Sequence, residues 1–573
     1  MRDIDCVVIG YNEGRFVDYG TMSKRAGTFS PEWQIYRKEH IVIDETPMPW
    51  MDAFSTLRNK AVGRNDRYHV GEVYNLASVY LTSHLRRHGI DAVAISLFGN
   101  ERDRLRSLLA TRPKVVAITS TFYVNILPVL PIVQFVREHS PESHIVVGGP
   151  LIDNFARDGV SNDLQDMLFA IGADSYVLEA QGEATLVSLY QAISARVSLA
   201  NVNNVIRCEE GNWILSERVL ESNSLDECRI RWADFAVDHE IGVTAQMRTA
   251  RSCAFKCSFC DYPSRAGALT VASVDTVRQE IRELAALGVK NLVFVDDTFN
   301  VPPKRFKALC EMMIEEDLGL SWYSYFRCSN AKDDETFDVA AASGCKGVFL
   351  GIESADPVIL KNMNKLAQDD QYRDGIARLK ERGITTFASI IVGFPGETET
   401  TVNNTIDFLN DTRPTLWRAQ AWWGNPKSPI YAKQEEYGIS GSAYKWAHDT
   451  MTSEEAAALC DAMYSSVVNS AWLPLYDFDF WSLPYLAGKG LSVNELVPLL
   501  ELSQEIMQEQ QVQREDGSRL KILCRELADA VAALSLDSPR FSYTEAALAE
   551  ITVASHPMYP SPQDEKSLGS KDD

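Results

Sequence analysis

Long hydrophobic runs are the first thing this chain lacks. No stretch approaches the roughly 18 uninterrupted apolar residues of a membrane helix, so no span is expected. Clustered positive charge is also missing. Lys and Arg total 56 against 79 Asp and Glu, a net charge of −23. No basic stripe stands out, which argues against a nucleic-acid partner, because phosphate recognition relies on grouped Lys and Arg. The opening MRDIDCVVIGYNEG runs straight into a strand-like apolar segment with no basic stretch before a long apolar one, so no signal peptide is expected. Eleven cysteines, an odd number in a long chain, suit a reducing compartment better than a disulfide scaffold. The expected location is the cytoplasm.

What is present is an ordinary globular composition, 45% hydrophobic and 24% charged. At 573 residues the chain is too long for one core, and about two to four domains are expected. Between residues 70 and 195 helical and strand patterns alternate. YNLASVYLTSHLRRH reads as a helix stopped by Gly89, DAVAISLF as a buried strand and RDRLRSLLAT as a helix. The strand KVVAITSTF, a helix near 125–139, the strand HIVVGGP, and a short strand, turn and helix over 175–193 follow. With IDCVVIG at the start, this alternation implies an α/β, doubly wound (Rossmann-like) parallel sheet.

Ligands of such sheets sit at strand carboxyl ends, which here carry Thr119-Ser120-Thr121, Gly148-Gly149-Pro150 and Gln181-Gly182-Glu183. Small hydroxyl residues and glycines let a ligand approach the backbone, although ordinary βα turns have the same composition. A second series of βα units runs from 243 to 430, with strands NLVFVDD, SWYSYF, GVFLGIE and TTFASIIVGF, and suggests a full or partial parallel barrel. The expected division is 1–195, a doubly wound domain with an irregular extension over 12–69; 196–242, a connector with a hairpin near Gly211-Asn212; 243–430, the barrel; 431–554, mainly helical; and 555–573, a disordered tail.

TARSCAFKCSFCDYP places Cys253, Cys257 and Cys260 in a Cys-x3-Cys-x2-Cys spacing. Thiolates bind soft metal centres, and three on one loop can hold three irons of a cubane, leaving the fourth open for a chelating molecule. A closed zinc site would need a fourth ligand, and the next cysteine is Cys310. The other eight cysteines are scattered and read as small core residues or incidental thiols.

This loop, with Phe259 before its last cysteine, resembles the signature of the radical S-adenosylmethionine (SAM) superfamily over roughly 243–430. The resemblance implies a 4Fe–4S cluster whose open iron is chelated by SAM, cleaved reductively to a 5′-deoxyadenosyl radical. It also implies an external electron donor such as flavodoxin or ferredoxin. By the same resemblance, Asp296 or Asp297 would accept from the SAM ammonium and Arg327 would pair with its carboxylate. Glu353-Ser354 matches the family's Gly-x-Glu-Ser segment, and Gly393 lies in the segment beside the adenine.

A doubly wound domain ahead of this core resembles the cobalamin-binding class. The Ser/Thr and Gly-Gly turns would then receive the cofactor's nucleotide tail. The chain departs from other cobalamin proteins in having no Asp-x-His-x-x-Gly; His69, His84 and His88 are expected on the surface. The opening Asp5–Glu13 and the segment Trp446–Met451 are loosely similar to the phosphinate P-methyltransferase branch. The implied function is methyl transfer through methylcobalamin to an unactivated carbon or phosphinate phosphorus. The substrate would be a small molecule or peptide, such as a natural-product precursor. One SAM would methylate cob(I)alamin and a second would supply the radical. A cobalamin-assisted cyclase or rearrangement enzyme would share these motifs, and a non-catalytic iron–sulfur redox protein is the alternative outside catalysis. A methylthiotransferase is disfavoured, because no additional N-terminal cysteine trio is present. Trp422 and Trp423 read as core or cofactor packing, and Tyr444, Trp446 and His448 as packing or as closure of the active site.

Overall fold

The computed structural model describes residues 3–157, 159–331, 333–476, 479–512 and 517–543. The expected tail, 555–573, lies outside the described residues. Two seven-stranded sheets organise the chain. The first contains β1 (Cys6–Tyr11), β2 (Ala92–Leu97), β3 (Val115–Thr119), β4 (His144–Gly148), β5 (Ser175–Val177), β6 (Val205–Glu209) and β7 (Asn212–Leu215). Its order is β7-β6-β5-β4-β3-β1-β2, parallel through β5, with the hairpin β6–β7 added antiparallel at one edge. The parallel part has the 2-1-3-4-5 order of doubly wound folds, whose strands are buried on both faces and so read as unbroken Val, Ile and Ala runs. The hairpin expected near Gly211 therefore belongs to this sheet rather than to a free connector. The helix expected near 125–139 starts later, at Leu130, with Pro131 in its first turn. A proline is tolerated there but not further inside.

The second sheet contains β8 (Thr244–Met247), β9 (Asn291–Phe294), β10 (Ser321–Tyr325), β11 (Cys345–Glu353), β12 (Thr385–Val392), β13 (Leu416–Ala421) and β14 (Ala471–Trp472). All pair in parallel in that order, with helices between them, giving an open, partial barrel. The last strand comes from the region expected to be a separate helical domain, so that region shares the barrel's sheet before its helices Val493–Val512 and Ser518–Ala533.

The largest departure from expectation is residues 12–69. They form the helices Phe16–Ala26, Pro31–Tyr36 and Trp50–Val62 and a hairpin of His40–Ile43 with Thr46–Pro49. The hairpin and the helix Trp50–Val62 pack in one hydrophobic core with the barrel and the C-terminal helices, apart from the two clusters that flank the first sheet. The Trp50 indole N–H donates to Ser503 Oγ (3.0 Å), and Phe541–Ser542 pair with Asp66–Arg67. Ser30 caps one short helix, but no stripe of apolar spacing announces the others, because Trp50–Leu57 is buried almost all round.

Trp50 is 2% exposed and stacks on Phe54 at 5.3 Å. Trp50→Ala should cost about 3–5 kcal/mol. In urea unfolding followed by far-UV circular dichroism, the loss should fall on the transition of the barrel and C-terminal helices, and an unchanged midpoint would refute the shared core.

Candidate functional site

The cysteine loop leaves β8 under the control of Asp296. This carboxylate, 1% exposed at the end of β9, accepts from the Thr249 and Ala250 amides (2.6 and 2.9 Å) and the Thr249 hydroxyl (2.5 Å). Both of its oxygens are taken, so Asp296 holds the loop entrance and does not face a ligand. Beyond it Ser252 adopts a positive φ of 71°. Cys257 is buried, while Cys253 and Cys260 are half-buried. The loop is pinned from outside: Ser258 N donates to Met363 O (2.8 Å), and Ile430 N donates to Ser258 O (2.9 Å). Burial pushes the Cys260 thiol up to about 11, and the neighbouring Cys257 and Cys253 add to the rise. Among the described residues no three Cys, His, Asp or Glu are gathered closely enough to ligate a single metal ion. Thiolates of a cubane each bind a different iron and stand further apart than ligands of one ion.

The barrel lumen opens beside this loop. Strand registers place Tyr325, Phe349 and Phe387 on one level, and Gly351, Ser389 and Arg418 on the next. Lumen positions at the carboxyl ends, among them Gln246, Tyr325, Gly351, Ser389 and Gln420, are half-buried, while their strand neighbours are buried. Phe480 forms the floor, stacked on Phe387 at 5.8 Å.

Asp297, unlike Asp296, faces open space. Burial, then the charge of Asp296, raises its carboxyl to about 6. Arg327 is 7% exposed; its guanidinium lies 3.7 Å from the Phe255 ring centroid, its Nε donates to Ser329, and its Nη2 has no partner. Glu353, at φ 67°, pairs with the buried Lys365 (3.0 Å). Ser354 is fully buried, accepts from Asp356 N (3.2 Å) and lies 3.4 Å from the Thr405 hydroxyl; it braces a loop and faces no cavity. Gly393 is also enclosed. A Cβ there would lie 2.5 Å from Trp446 and 2.6 Å from Ala456, so close packing demands the glycine. Trp446 and His448 are buried on that same turn, and Trp422 is core. Tyr444 alone of the expected closing group remains half-buried.

Between the two sheets lies a cleft of about 620 Å³. One wall is built from the turns after β3, β4 and β5, including Thr119, Thr121, Gly148, Gly149, Gly182 and Glu183. Ser120 is not in the wall: it is fully buried, donates to Gly148 O (2.9 Å) and accepts from Leu151 N (3.2 Å), tying two turns together. The opposite wall comes from the barrel: Arg248, Arg251, Tyr262, Asp297, Tyr325 and Trp481. An apolar arm runs between helix Leu76–Arg87, helix Glu183–Ala195 and the sheet, lined by Leu76, Leu81, Ala117, Val146, Val177 and Leu186.

Most barrel-side residues were missed from sequence, although Arg251 and Tyr262 each lie two positions from a cluster cysteine; Trp481 carried no signal. Arg251 donates to Gln181 Oε1 and Asn223 O (both 2.8 Å), joining the cysteine loop to the other domain. Glu221 accepts from the Ala184 and Thr185 amides (2.9 and 2.8 Å), so a carboxylate already caps the helix after Gly182. The histidines depart from expectation: His69 is wholly buried against Glu13, His84 is buried, and only His88 is exposed. None lines the cleft.

Residues 247–409 match the model of the radical SAM superfamily. The anaerobic magnesium-protoporphyrin IX monomethyl ester cyclase of Rubrivivax gelatinosus is 25% identical over 60% of this chain and 63% of its own. The chain spans less than two thirds of the length of curated relatives such as this one. Two solved structures share the fold. The methyltransferase TsrM from Kitasatospora setae, with cobalamin and a [4Fe–4S] cluster bound, has a TM-score of 0.52 and 20% identity over 64% of this chain and 72% of that one. OxsB, with aqua-cobalamin and SAM bound, has a TM-score of 0.52 and 15% identity over 88% of this chain and 62% of that one. Residues 247–409 thus resemble the radical SAM superfamily, and the chain shares the fold of TsrM and OxsB.

Proposed function

We propose that the protein is a cobalamin-dependent radical SAM methyltransferase of a small-molecule substrate, working in the cytoplasm with a flavodoxin- or ferredoxin-like electron donor. One observation carries the reading: a single cleft is walled on one side by the turns of the doubly wound sheet and on the other by the carboxyl end of the barrel that bears the cysteine loop. A group seated on the first domain therefore meets the barrel's contents directly.

The residues suit both cofactors. Burial pushes the Cys260 thiol up, so a strongly cationic centre is needed to bind it as a thiolate, and among the described residues no three Cys, His, Asp or Glu gather to ligate a single ion instead. The cleft joins an apolar arm, fit for a planar aromatic base, to a rim of backbone and carboxamide groups such as Gln181, fit for an amide-fringed ring. Among the described residues no histidine lines the cleft. The cluster would supply the electron that splits SAM, and cobalamin would carry the methyl group.

Within that scheme Arg327 Nη2 offers an unused donor to the SAM carboxylate, and Asp297 offers an acceptor to its ammonium. Tyr262 shares the cleft wall with Asp297 and favours its ionised form. Phe480 and Trp481 shut the lower lumen and exclude water from the reacting groups.

With deuterated-methyl SAM, the anaerobically reconstituted enzyme should place label in its product, whereas a rearranged, unlabelled product would favour a cyclase like the Rubrivivax relative. Cys257→Ala should lose iron and 5′-deoxyadenosine formation together. A variant that still cleaves SAM normally would refute the ligand assignment.

Asp297 must be ionised to bind an ammonium, so SAM affinity should rise with pH through about 6 and level off above it. Asp297→Asn should flatten that profile in equilibrium dialysis. Asp296→Asn should instead lower the melting temperature, since each hydrogen bond to a charged group is worth about 1.5–3 kcal/mol. Equal effects of the two variants on the pH profile would contradict the division of roles.

Leu81 lines the apolar arm and is half-buried. Leu81→Trp should fill the arm and lower bound cobalamin at least about tenfold, judged by the visible spectrum after gel filtration, with iron content unchanged. Full cobalamin retention would place the cofactor elsewhere.

A further inference from the structure

Charge is distributed unevenly around the cleft of about 620 Å³. Its first-domain wall carries no Lys, Arg or His among the described residues, and three carboxylates, Asp153, Glu179 and Glu183. Every cation that lines the cleft comes from the barrel side: Arg248, Arg251 and Arg265. Two helix N-termini on the first-domain wall are already capped. Asn75 Oδ1 accepts from Ala77 N (2.8 Å), and Glu221 accepts from the Ala184 and Thr185 amides. An anion carried by a ligand on that domain finds no counter-charge there.

Two of the three arginines are occupied. Arg251 donates to Gln181 Oε1 and Asn223 O, and Arg265 Nε lies 3.9 Å from Asp153 with its guanidinium 5.3 Å from the Tyr262 ring centroid. Arg248 differs. It directly follows β8, is half-buried, and makes no hydrogen bond or ion pair among the described residues.

The guanidinium of Arg248 lies 5.3 Å from the ring centroid of Tyr80, which also lines the cleft. Tyr80 belongs to the helix Leu76–Arg87, next to Leu81 and one turn beyond Leu76, both of which line the apolar arm. Arg248 thus stands beside the arm, on its barrel side. A guanidinium without a carboxylate partner in a secluded cleft favours an anion, and its planar fork suits one with two accessible oxygens. The arm indicates which anion. A ligand with an aromatic base in the arm and an amide-fringed ring at the rim is cobalamin, whose base and ring are joined through a ribose and a phosphodiester. The SAM carboxylate has its own candidate in Arg327, which does not line the cleft.

We propose that Arg248 holds the phosphodiester of the cobalamin nucleotide loop, so that the barrel supplies the counter-charge for a cofactor seated on the other domain. The assignment rests on the cobalamin reading above. Its consequence is selectivity: corrinoids that carry the phosphate are preferred, and the preference requires both domains.

The test measures equilibrium dialysis of aquocobalamin, cobinamide phosphate and cobinamide against the full-length protein, with its cluster reconstituted and corrinoid omitted. Cobinamide phosphate lacks the ribose and base, and cobinamide lacks the phosphate as well. The wild type should bind cobinamide phosphate at least about tenfold tighter than cobinamide. Arg248→Gln should close that gap, weakening cobalamin and cobinamide phosphate while leaving cobinamide, SAM affinity and iron content unchanged. Arg248→Lys keeps the charge and should restore at least part of the preference. A wild type without the preference, or an Arg248→Gln protein that keeps it or weakens all three corrinoids alike, would overturn the assignment. If cobalamin still binds the wild type in those cases, the cobalamin reading stands and only the role of Arg248 falls. If the wild type binds none of the three, the cobalamin reading itself falls, and the assignment with it.

Discussion

Two parallel sheets can share one reaction space only if their carboxyl ends face each other, and here that arrangement is held by charged contacts from the cysteine loop to the first domain. Arg251 reaches Gln181 and Asn223, and Arg157 bridges Asp153 and Asp261 at 2.9 Å each. Such partly buried pairs add little net stability, but losing one partner leaves a charge stranded at a cost of about 3–5 kcal/mol. The contacts therefore act mainly on specificity: they make any other docking of the domains expensive. Because Asp261 follows Cys260 and Arg251 precedes Cys253 by two, the loop that would hold the cluster also fixes the distance to the cleft.

The same economy appears at Asp296 and Asp297. Adjacent in sequence, they point opposite ways at a strand end, one saturated by three donors and the other open to the cleft. The saturated carboxylate raises its neighbour's affinity for a proton, which leaves Asp297 poised to gain most from a cation. A strand end needs both: an anchor to hold the loop still and a free group to meet the ligand.

Much of this was legible in sequence, and for a definite reason. Parallel strands buried on both faces are unbroken apolar runs, so both sheets could be read from HIVVGGP or TTFASIIVGF, and the three-cysteine loop announces its own chemistry. What escaped depends on contacts between segments hundreds of residues apart. Ser120, Ser354 and Gly393 have the composition of ligand turns, yet their hydroxyls and backbone are consumed by Leu151, Asp356 and Trp446. Trp481 and Tyr325 meet at 5.0 Å across a long stretch of chain, and neither carries a local pattern that marks it as a wall.

The N-terminal extension shows why such locality fails. An open barrel leaves an edge strand and a lumen exposed to water, and β14 with its following segment closes only part of it. Residues 16–43 leave the doubly wound domain, cross to that edge and insert Glu39 against Arg418. The segment does this mainly through residues 31–43, most of which are buried, while the helix Phe16–Ala26 buries only Gly20 and Ser23. The closure supplies something a sealed barrel would lack: a side wall of Phe16, Tyr19 and Tyr476 that comes from outside the barrel's strands. Because the added segment packs on the barrel's edge and not on the strand ends that line the cleft, this side wall and the cleft are built from separate parts of the chain.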